Sequence, residues 1–344
     1  MKKGSKLLIT DILYKLSNNK NLTAKEANFI FEKIISGKLS EIQSAGILMA
    51  LATKGVTMLE ILEASKVLRK KSKKIQCGKN ILDTCGTGGD GKNTLNVSTA
   101  TAILASACGI KVAKHGNKAV SSSSGSSDVL AKLGVNTSAS IRNVKKCLNK
   151  INICFLMAPL YHSAMKNVAN VRNNLKVKTI FNILGPLINP ASADMQLIGV
   201  YDKELLQPIA ECLKKLGIKK AWVVCGENGV DEITLSGKTF VIELKSNKLR
   251  KFIIDPEKIG FKQSSINKIK GKNAEFNARE ILKLFNNKNY NPFYKDTVLL
   301  NTAACLVISN KVKNLKKGIV LANKNLVNGN ALQKLNKLAS ISNE

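Results

Sequence analysis

Residues 81–93 read I-L-D-T-C-G-T-G-G-D-G-K-N, a short apolar segment that leads directly into a glycine-rich loop. The apolar segment predicts a strand over Ile81–Asp83. Because glycine has no side chain, the following loop can bring several backbone N–H groups onto one phosphate group. A tight turn without a ligand is the alternative for this loop taken alone. The stretch therefore predicts a strand–loop unit of an α/β domain, with an anion site as its functional interpretation.

The same loop matches two nucleotide-binding patterns in part. It reads as G-x-x-x-x-G-K, but Asn93 follows where a P-loop needs Ser or Thr for Mg²⁺. It also reads as G-x-G-x-x-G, but residues 109–112 supply no acidic side chain for a dinucleotide ribose. The next helix is predicted to begin near Ser98, too late for either pattern. The sequence therefore does not favour either nucleotide site.

Strands and helices alternate after this loop. Such alternation is typical of an α/β domain with mostly parallel strands. A polar loop is predicted over residues 115–127, between a strand and a helix. The predicted strands are 81–83, 110–113, 153–157, 197–201, 221–225 and 240–244, and the predicted helices are 98–108, 128–133, 141–148, one between the strands at 201 and 221, and others near 273–287, 295–309 and 329–338.

The region before the loop, residues 1–72, is predicted to be helical. Capping boxes, which mark helix N-termini, follow one another along it, and Gly37 and Gly55 stand where helices are expected to end. On the second capped helix an apolar stripe comprises Ile42, Ala45, Ile47, Leu48 and Leu51. The capping boxes pair Thr23 with Glu26, Ser40 with Gln43, and Thr57 with Glu60.

The chain of 344 residues carries 55 Lys and Arg against 23 Asp and Glu, a net charge of +32. A nucleic-acid partner is one interpretation of this charge. The lysines are scattered rather than clustered, and the chain is also rich in Asn and Ile, so a general compositional bias is the interpretation we favour. The nucleic-acid interpretation stays open as the alternative.

The cysteines and histidines restrict the class of protein further. None of the eight cysteines has the spacing of a metal knuckle or a redox pair, which indicates free thiols and a cytoplasmic location. The two histidines, His115 and His162, exclude a multi-histidine metal centre. Since no apolar run of about 18 residues occurs, we expect no membrane-spanning helix and no membrane partner.

Three polar loops follow successive elements of the predicted sheet. After the glycine loop come N-V-S-T at residues 96–99, K-H-G-N at 114–117 and the serine-rich stretch 121–128. Loops after parallel strands meet at one edge of the sheet, and helix N-termini favour anions. The loops therefore predict a ligand with two separated phosphate groups. The adjacent acids Asp231 and Glu232 suit Mg²⁺ beside such a ligand, and Arg172 suits a carboxylate, although both features also occur as ordinary solvated side chains.

Taken together, these motifs resemble those of the anthranilate phosphoribosyltransferases. The resemblance also covers A-P-x-Y-H-x-A-M-K from Ala158, T-I-F-N-I-L-G-P-L-I-N-P up to Pro190, and D-E-I-T from Asp231. It implies a small all-helical domain plus a larger α/β domain with a mixed, mostly parallel central sheet flanked by helices. The implied helical domain spans residues 1–72 and is joined by a returning segment at about 168–190, while residues 75–165 and 191–344 form the domain that binds phosphoribosyl diphosphate.

The implied reaction transfers the 5-phosphoribosyl group from phosphoribosyl diphosphate to the amine of anthranilate, in tryptophan biosynthesis, by a homodimer. The resemblance assigns no side chain as a general base. It implies Gly86, Gly89, Asp90, Thr94, Asn96, Val97, Ser98, Thr99, Lys114, Ser122 and Ser126 for phosphoribosyl diphosphate, Gly86, His115, Asn117 and Arg172 for anthranilate, and Ser98, Asp231 and Glu232 for Mg²⁺, expected as two ions.

The chain departs from the family pattern at several positions. Lys118 and Lys178 stand where the family usually has Arg, and Lys176 stands where it usually has Gly. Arg and Lys are not equivalent at phosphate sites, so these changes bear on donor affinity. Two other functions stay open: a nucleic-acid-binding relative of the same fold without this activity, and a pyrimidine nucleoside phosphorylase.

Overall fold

The computed structural model describes residues 7–119 and 123–344. Its first helices form a small bundle, and all three predicted capping boxes are present at their N-termini. Gly37 and Gly55 follow two of these helices with positive φ angles, as predicted. The helices of the bundle are α1 (Ile9–Ser17), α2 (Ala24–Ile35), α3 (Glu41–Lys54) and α4 (Met58–Lys71).

One residue of the apolar stripe predicted on α3 does not lie in the core. Ile42 is 85% exposed, whereas Ile47, Leu48 and Leu51 are buried. Residues three and four apart share one helix face, and Ser44 completes the buried face at that spacing. Ile42 lies in the first turn, away from this face, so the prediction that it packs inward is wrong.

A seven-stranded sheet forms the centre of the remaining chain, in the order β3-β2-β1-β4-β5-β6-β7. The first five strands of this order are parallel, and β6 and β7 are antiparallel at one side. The sheet is therefore mixed and mostly parallel, which confirms the predicted fold class. The strands are β1 (Ile81–Asp83), β2 (Lys111–Gly116), β3 (Ile153–Met157), β4 (Met195–Gly199), β5 (Lys220–Gly226), β6 (Thr239–Lys245) and β7 (Lys248–Ile254).

The helices that follow the bundle keep the predicted alternation, with α8, α9, α10, α14 and the edge strand β7 as additions that the sequence did not predict. They are α5 (Val97–Ala107), α6 (Ser126–Lys132), α7 (Ile141–Ile151), α8 (Ala158–Tyr161), α9 (Lys166–Leu175), α10 (Phe181–Leu184), α11 (Leu206–Lys215), α12 (Ala274–Phe285), α13 (Pro292–Ile308), α14 (Leu315–Val327) and α15 (Asn330–Ser342). Short 3₁₀ turns occur at Ser163–Met165, Gly185–Ile188, Lys203–Leu205, Glu257–Ile259 and Ile266–Ile269.

Two hydrophobic cores lie on the two faces of the sheet. Strand β5 shows the division, because Trp222 and Val224 belong to one core, while Ala221, Val223 and Cys225 belong to the other. Burial on both faces explains why a parallel strand such as β5 is apolar throughout rather than alternating. The first core contains α5, α7 and α12–α15, and the second contains α1–α4, α9–α11 and the opposite face of β4–β6.

Helix α4 lies between the bundle and the sheet domain. It packs on α2 within the bundle and on α11 across it, where Ser65 lies beside Cys212. The guanidinium of Arg69, at its C-terminal end, donates to the carbonyl of Leu187 at 2.6 Å. Helix α4 is consequently buried over most of its circumference.

The segment after α8 returns to the bundle. Asn167 donates to the carbonyl of Ile35 at 2.8 Å, and Asn170 donates to the Glu41 carboxylate at 2.7 Å. Helix α9 therefore lies against α2 and α3 and forms one wall of the space above the sheet. No helix within residues 7–119 and 123–344 combines the length and apolar character needed to span a bilayer.

Candidate active site

A cavity of about 500 Å³ lies between the carboxyl edge of the sheet and the segment α8–α10. The glycine loop, the start of α5, the end of β2 and the turn after β5 contribute to its sheet side. Arg172 and Phe181 contribute to its opposite side. The carboxyl edge is where the loops of parallel strands converge, so the location agrees with the arrangement that the sequence predicts.

The glycine loop runs across the ends of β1 and β4. Gly88, Gly89 and Gly91 have φ angles of 66°, 77° and 69°, a region that other residues rarely adopt. The N–H of Thr87 donates to the carbonyl of Gly199 at 2.9 Å, and the N–H of Gly88 donates to Asp231 Oδ2 at 2.8 Å. The loop is thereby fixed to β4 and to the acidic turn.

The chain does not enter a helix directly after the glycine loop. Thr94 forms a bridge with Lys270, and the N–H of Leu95 donates to the carbonyl of Ile269 at 2.8 Å. Helix α5 begins only after this extended segment, with Asn96 as its N-cap. The rejection of the P-loop and dinucleotide patterns on the position of this helix is confirmed.

Lys114 is the cation at the centre of the sheet side. Its ammonium is buried and donates to the carbonyl of Thr84 at 3.0 Å and to Ser98 Oγ at 3.3 Å. An ammonium has three N–H donors, so one stays available to an anion in the cavity. The hydroxyl of Ser98 lies at the N-terminus of α5, where the helix dipole also favours negative charge.

Three carboxyl groups meet on the same side of the cavity. Burial and then the negative charge of Asp90 raise the pKa of Asp231 to about 7. Burial and then Asp231 raise the pKa of Glu232 well above its usual range, although Lys114 opposes this shift. Asp90 accepts the N–H of Lys92 through Oδ1 at 3.0 Å, while its buried Oδ2 has no partner among the described residues. Buried carboxylates that repel one another are stabilised by a cation, and their oxygen atoms are ligands suited to Mg²⁺.

His115 lies within strand β2, not in the polar loop predicted to begin there. Its backbone N–H donates to Asp83 Oδ1 at 3.1 Å, and its ring Nδ1 lies 3.1 Å from the carbonyl oxygen of Gly185. A carbonyl only accepts, so Nδ1 is the protonated nitrogen and Nε2 carries the lone pair. Burial, followed by the charge of neighbouring His162, lowers the pKa of His115 to about 3. The ring is therefore neutral, and Nε2 has no partner among the described residues.

The K-H-G-N loop and the serine-rich loop close against each other. A β-carbon at Gly116 would overlap Ser126 Oγ, so glycine is the residue that lets them approach. Asn117 accepts the N–H of Lys118 through Oδ1 at 2.8 Å, which leaves its Nδ2 as a donor. Residues 120–122 lie outside the described part, and Ser122, which the sequence predicts as a donor ligand, is one of them.

Arg172 extends from α9 on the opposite wall. Its guanidinium carbon lies 5.7 Å from the centre of the Phe181 ring, and no ion pair joins it to a described carboxylate. Burial lowers its pKa, but an arginine keeps its charge in proteins. The planar guanidinium is therefore available for a carboxylate that enters the cavity.

The structure brings together almost all the residues that the sequence predicts for this site. Thr99 is the exception among the described residues, because it is buried within α5 behind the cavity. His162 and Phe181 also line the cavity, and the sequence predicted a role for neither. The predicted residues that line it are Gly86, Gly89, Asp90, Thr94, Asn96, Val97, Ser98, Lys114, His115, Asn117, Ser126, Arg172, Asp231 and Glu232.

The chain matches two parts of one protein family. The helical bundle domain of the glycosyl transferase family matches residues 10–72, and the a/b domain of that family matches residues 78–332. The anthranilate phosphoribosyltransferase of Petrotoga mobilis is 46% identical over 332 residues, which are 96% of each chain. That of a Thermoanaerobacter species is 44% identical over 96% of this chain and 98% of the relative.

Solved structures give the same result. The crystal structure of anthranilate phosphoribosyltransferase from Thermus thermophilus has a TM-score of 0.90 and 36% identity, covering 97% of this chain and 100% of that one. The enzyme from Saccharomyces cerevisiae in complex with PRPP and Mg has a TM-score of 0.88 and 30% identity, covering 97% and 98% of the two chains. In sequence and in fold, the chain belongs to the anthranilate phosphoribosyltransferases of the glycosyl transferase family.

Proposed function

We propose that the chain transfers the 5-phosphoribosyl group from phosphoribosyl diphosphate to the amine of anthranilate, giving N-(5-phosphoribosyl)anthranilate and diphosphate in tryptophan biosynthesis. One observation carries the proposal: a single cavity places anion-binding loops and a carboxylate cluster opposite an arginine that has no carboxylate partner among the described residues. This arrangement offers a diphosphate site on one wall and a carboxylate site on the other. It suits a phosphorylated donor and an acidic aromatic acceptor together.

The donor is assigned to the sheet side. The backbone N–H groups of Gly86, Gly89 and Asp90 and the start of α5 from Asn96 to Thr99 bind the diphosphate, with Thr94 beside them. Lys114 adds a fixed positive charge. Ser122 and Ser126 are assigned to the phosphoribosyl group. Because Thr99 does not line the cavity, its contribution is the backbone N–H in the first turn of α5.

The metal is proposed to be Mg²⁺, as two ions held by Ser98, Asp231 and Glu232, directly or through water. The residues fit the ion, because the carboxyl groups of Asp231 and Glu232 lie close to Asp90, whose buried Oδ2 has no partner among the described residues. When bound, Mg²⁺ would neutralise negative charge on the diphosphate. In the Saccharomyces cerevisiae relative, a complex contains PRPP and Mg.

The acceptor is assigned to the opposite wall. Arg172 binds the anthranilate carboxylate through its planar guanidinium, and Asn117 Nδ2 is a second donor directed to the same substrate. The neutral His115 presents the Nε2 lone pair beside the amine, and Gly86 leaves room where the two substrates meet. A relative from Saccharomyces cerevisiae has been solved with 4-fluoroanthranilate.

The side chains of the chain perform the transfer chiefly by position and charge. When the bond between ribose C1 and the diphosphate oxygen breaks, the bond electrons leave with the diphosphate and positive charge develops on the sugar. The loop N–H groups and Lys114 stabilise the leaving group, and the aromatic amine attacks C1 with its own lone pair. That amine is mostly unprotonated, so it attacks without a general base, and the nitrogen then loses one proton to the departing diphosphate or to water. Orientation by Arg172 and Asn117 supplies much of the rate.

The domain division and the oligomeric state are also proposals. We propose a helical domain of residues 1–72 with the returning segment 168–190, and an α/β domain of residues 75–165 and 191–344, supported by the packing of α9 on α2 and α3. We propose a homodimer formed through the helical domain, supported by the exposure of Ile42 at 85% and Tyr14 at 74%. A cytoplasmic location is supported by the eight cysteines, all of which are free thiols.

The test is turnover with phosphoribosyl diphosphate, Mg²⁺ and anthranilate, followed by product fluorescence. We expect product from the wild type. Arg172→Ala should raise the KM for anthranilate by about two orders of magnitude, because a charged hydrogen-bonded partner is removed, with little change in the KM for phosphoribosyl diphosphate. Arg142→Ala, on the exposed side of α7, is the matched control. Absence of product from the wild type contradicts the proposed reaction, and an unchanged KM for anthranilate in Arg172→Ala contradicts the carboxylate assignment.

The nucleic-acid alternative has its own outcome. If the positive charge serves nucleic acid, DNA binds with an affinity that falls steeply with salt, and no turnover of anthranilate accompanies it. The pyrimidine nucleoside phosphorylase alternative needs phosphate as the nucleophile. When the protein is incubated with phosphate and a pyrimidine nucleoside, we therefore expect no consumption of the nucleoside.

A further inference from the structure

The segment before α12, residues 269–271, pairs with residues 93–95 at the end of the glycine loop. The N–H of Leu95 donates to the carbonyl of Ile269 at 2.8 Å, and the N–H of Gly271 donates to the carbonyl of Asn93 at 2.7 Å. A β-carbon at Gly271 would lie 2.7 Å from the carbonyl oxygen of Thr94, so only glycine permits this approach. Residues 93–95 are therefore fixed by a segment that follows them by more than 170 positions in the chain.

The orientation of the buried Asn277 side-chain amide follows from its hydrogen bond to the backbone of the same segment. Asn277, which is 1% exposed in the first turn of α12, accepts the N–H of Lys272 at 2.9 Å through Oδ1. A backbone N–H only donates, so the oxygen of Asn277 must face Lys272. Its Nδ2 consequently faces the other way, and it donates to Asn96 Oδ1 at 2.9 Å.

The orientation of Asn277 fixes that of Asn96 in turn. Asn96 Oδ1 accepts from Asn277 and also from Ser124 Oγ at 3.4 Å. The backbone carbonyl of Asn96 accepts from the hydroxyl of Tyr294 at 3.2 Å. Asn96 lines the cavity, and its Nδ2 has no hydrogen-bond partner in residues 7–119 and 123–344. The atom that Asn96 offers to the cavity is therefore a donor and not an acceptor.

We infer that Asn277 is a positioning residue of the donor site, which acts by holding the Asn96 amide with Nδ2 towards the phosphate groups or hydroxyls of phosphoribosyl diphosphate. This inference rests on the proposed function. Asn277 does not line the cavity, so it does not touch the substrate itself. Without it, the Asn96 amide can rotate and present its oxygen to an anion, which opposes binding.

The test compares Asn277→Ala with the wild type by calorimetric titration of phosphoribosyl diphosphate and by steady-state kinetics. We expect donor affinity to fall by roughly tenfold, the size of one hydrogen bond to a charged group. The KM for anthranilate should change by less than about twofold. Asn325→Ala is the matched control, because Asn325 also accepts from a neighbouring amide, Asn330 at 2.8 Å, but far from the cavity.

A double-mutant cycle separates the inference from general destabilisation. If Asn277 acts through Asn96, then Asn96→Ala and the double variant have the same donor affinity, because the second change removes nothing further. Additive losses, or wild-type affinity in Asn277→Ala, overturn the inference.

A second variant keeps the inference testable if Asn277→Ala does not fold. Asn96→Asp preserves an acceptor for Asn277 but offers no donor, so it should fold normally and bind phosphoribosyl diphosphate at least tenfold more weakly. Wild-type affinity in Asn96→Asp overturns the inference. If the wild type itself does not bind phosphoribosyl diphosphate, the proposed function has failed, and this is a different result from an unaffected variant.

Discussion

The backbone of Asp231 lies directly against Gly199, so closely that a β-carbon on Gly199 would overlap the carbonyl oxygen of Asp231. Gly199 is the last residue of β4, and its own carbonyl accepts the N–H of Thr87 in the glycine loop. This one position therefore determines how near the acidic turn and the glycine loop come to each other. The requirement for glycine here is one of space.

Gly199→Ala should consequently displace the acidic turn. We expect the free energy of unfolding to fall by about 1–3 kcal/mol, as in other overpacked positions, and the Mg²⁺ concentration for half-maximal activity to rise. Urea unfolding and a Mg²⁺ titration measure the two effects. Gly46→Ala on α3 is the control, because its β-carbon would meet only Leu13 of α1, at 4.0 Å. A wild-type Mg²⁺ response in Gly199→Ala would show that the contact does not position the acids.

Lys54 and Glu60 form a buried ion pair in the helical bundle. Their side chains are 2% and 0% exposed, and the distance from Lys54 Nζ to Glu60 Oε2 is 2.8 Å. Lys54→Met leaves the carboxylate buried without its cation, so the free energy of unfolding should fall by about 3–5 kcal/mol in urea. Lys66→Ala removes a pair whose lysine is 48% exposed, and it should cost at most about 1 kcal/mol. Equal losses in the two variants would contradict the role of burial.

The two histidines should make the protein sensitive to acid. Burial lowers the pKa of His162 to about 4, and burial followed by the charge of His162 lowers that of His115 to about 3. In the unfolded chain both bind protons below about 6.5, whereas the folded protein does not. The contribution of the two rings to the free energy of unfolding should therefore fall as the pH drops from 6.5 towards 4, by up to about 1.4 kcal/mol per pH unit for each ring. The raised pKa values of Asp231 and Glu232 act in the opposite direction, so the rings are measured by the difference between the wild type and a histidine variant.

Urea unfolding between pH 7.5 and pH 4.5 measures this dependence. His162→Gln should lose less stability than the wild type over that range, because one of the two titrating rings is absent. Replacing a histidine with an unperturbed pKa by Gln would leave the slope of the free energy of unfolding against pH unchanged. Parallel pH profiles for wild type and His162→Gln would therefore show that His162 is not buried in its neutral form.

Lys176 ends α9 in the left-handed conformation, with a φ angle of 52°. A side chain in this conformation costs about 1 kcal/mol relative to glycine, which has no β-carbon. Lys176→Gly should raise the free energy of unfolding by about 0.5–1 kcal/mol. Asn152→Gly is the comparison. Asparagine tolerates the φ angle of 57° at the end of α7, so this variant should gain less stability than Lys176→Gly. A loss of stability in Lys176→Gly would mean that the lysine side chain makes a stabilising contact.

Much of the fold could be predicted because local chemistry and tertiary structure agree. The capping boxes gave the starts of three helices, and the apolar run Ile153–Met157 gave β3 to the residue. Strand β7 was missed because lysine and arginine dominate its exposed residues at the open edge of the sheet. Helix α14 was missed because Gly318 interrupts its pattern, yet that glycine lets α14 approach Ala303 of α13, where a β-carbon would lie 2.8 Å away.

The residues of the candidate site could likewise be predicted only in part. Loops after successive parallel strands must meet at one edge, so the convergence of the glycine loop, Lys114 and Asn117 could be predicted from their order. His162 and Asn277 could not, because segments distant in sequence bring them to the cavity or to its supporting layer. A single histidine or asparagine carries no periodic signal, and the fact that only two histidines occur was the one available indication for His162.

The burial of α4 between the bundle and α11 has a mechanical consequence. Because its side chains belong to a core that includes both the bundle and α11, the bundle cannot swing away from the sheet as a free body without exposing apolar surface to water. Displacements of α4 over α11 that keep this apolar surface buried are therefore limited to small sliding movements. Helix α9, which carries Arg172, belongs to the same core through Val168 and Val171, so the arginine keeps its place relative to the bundle.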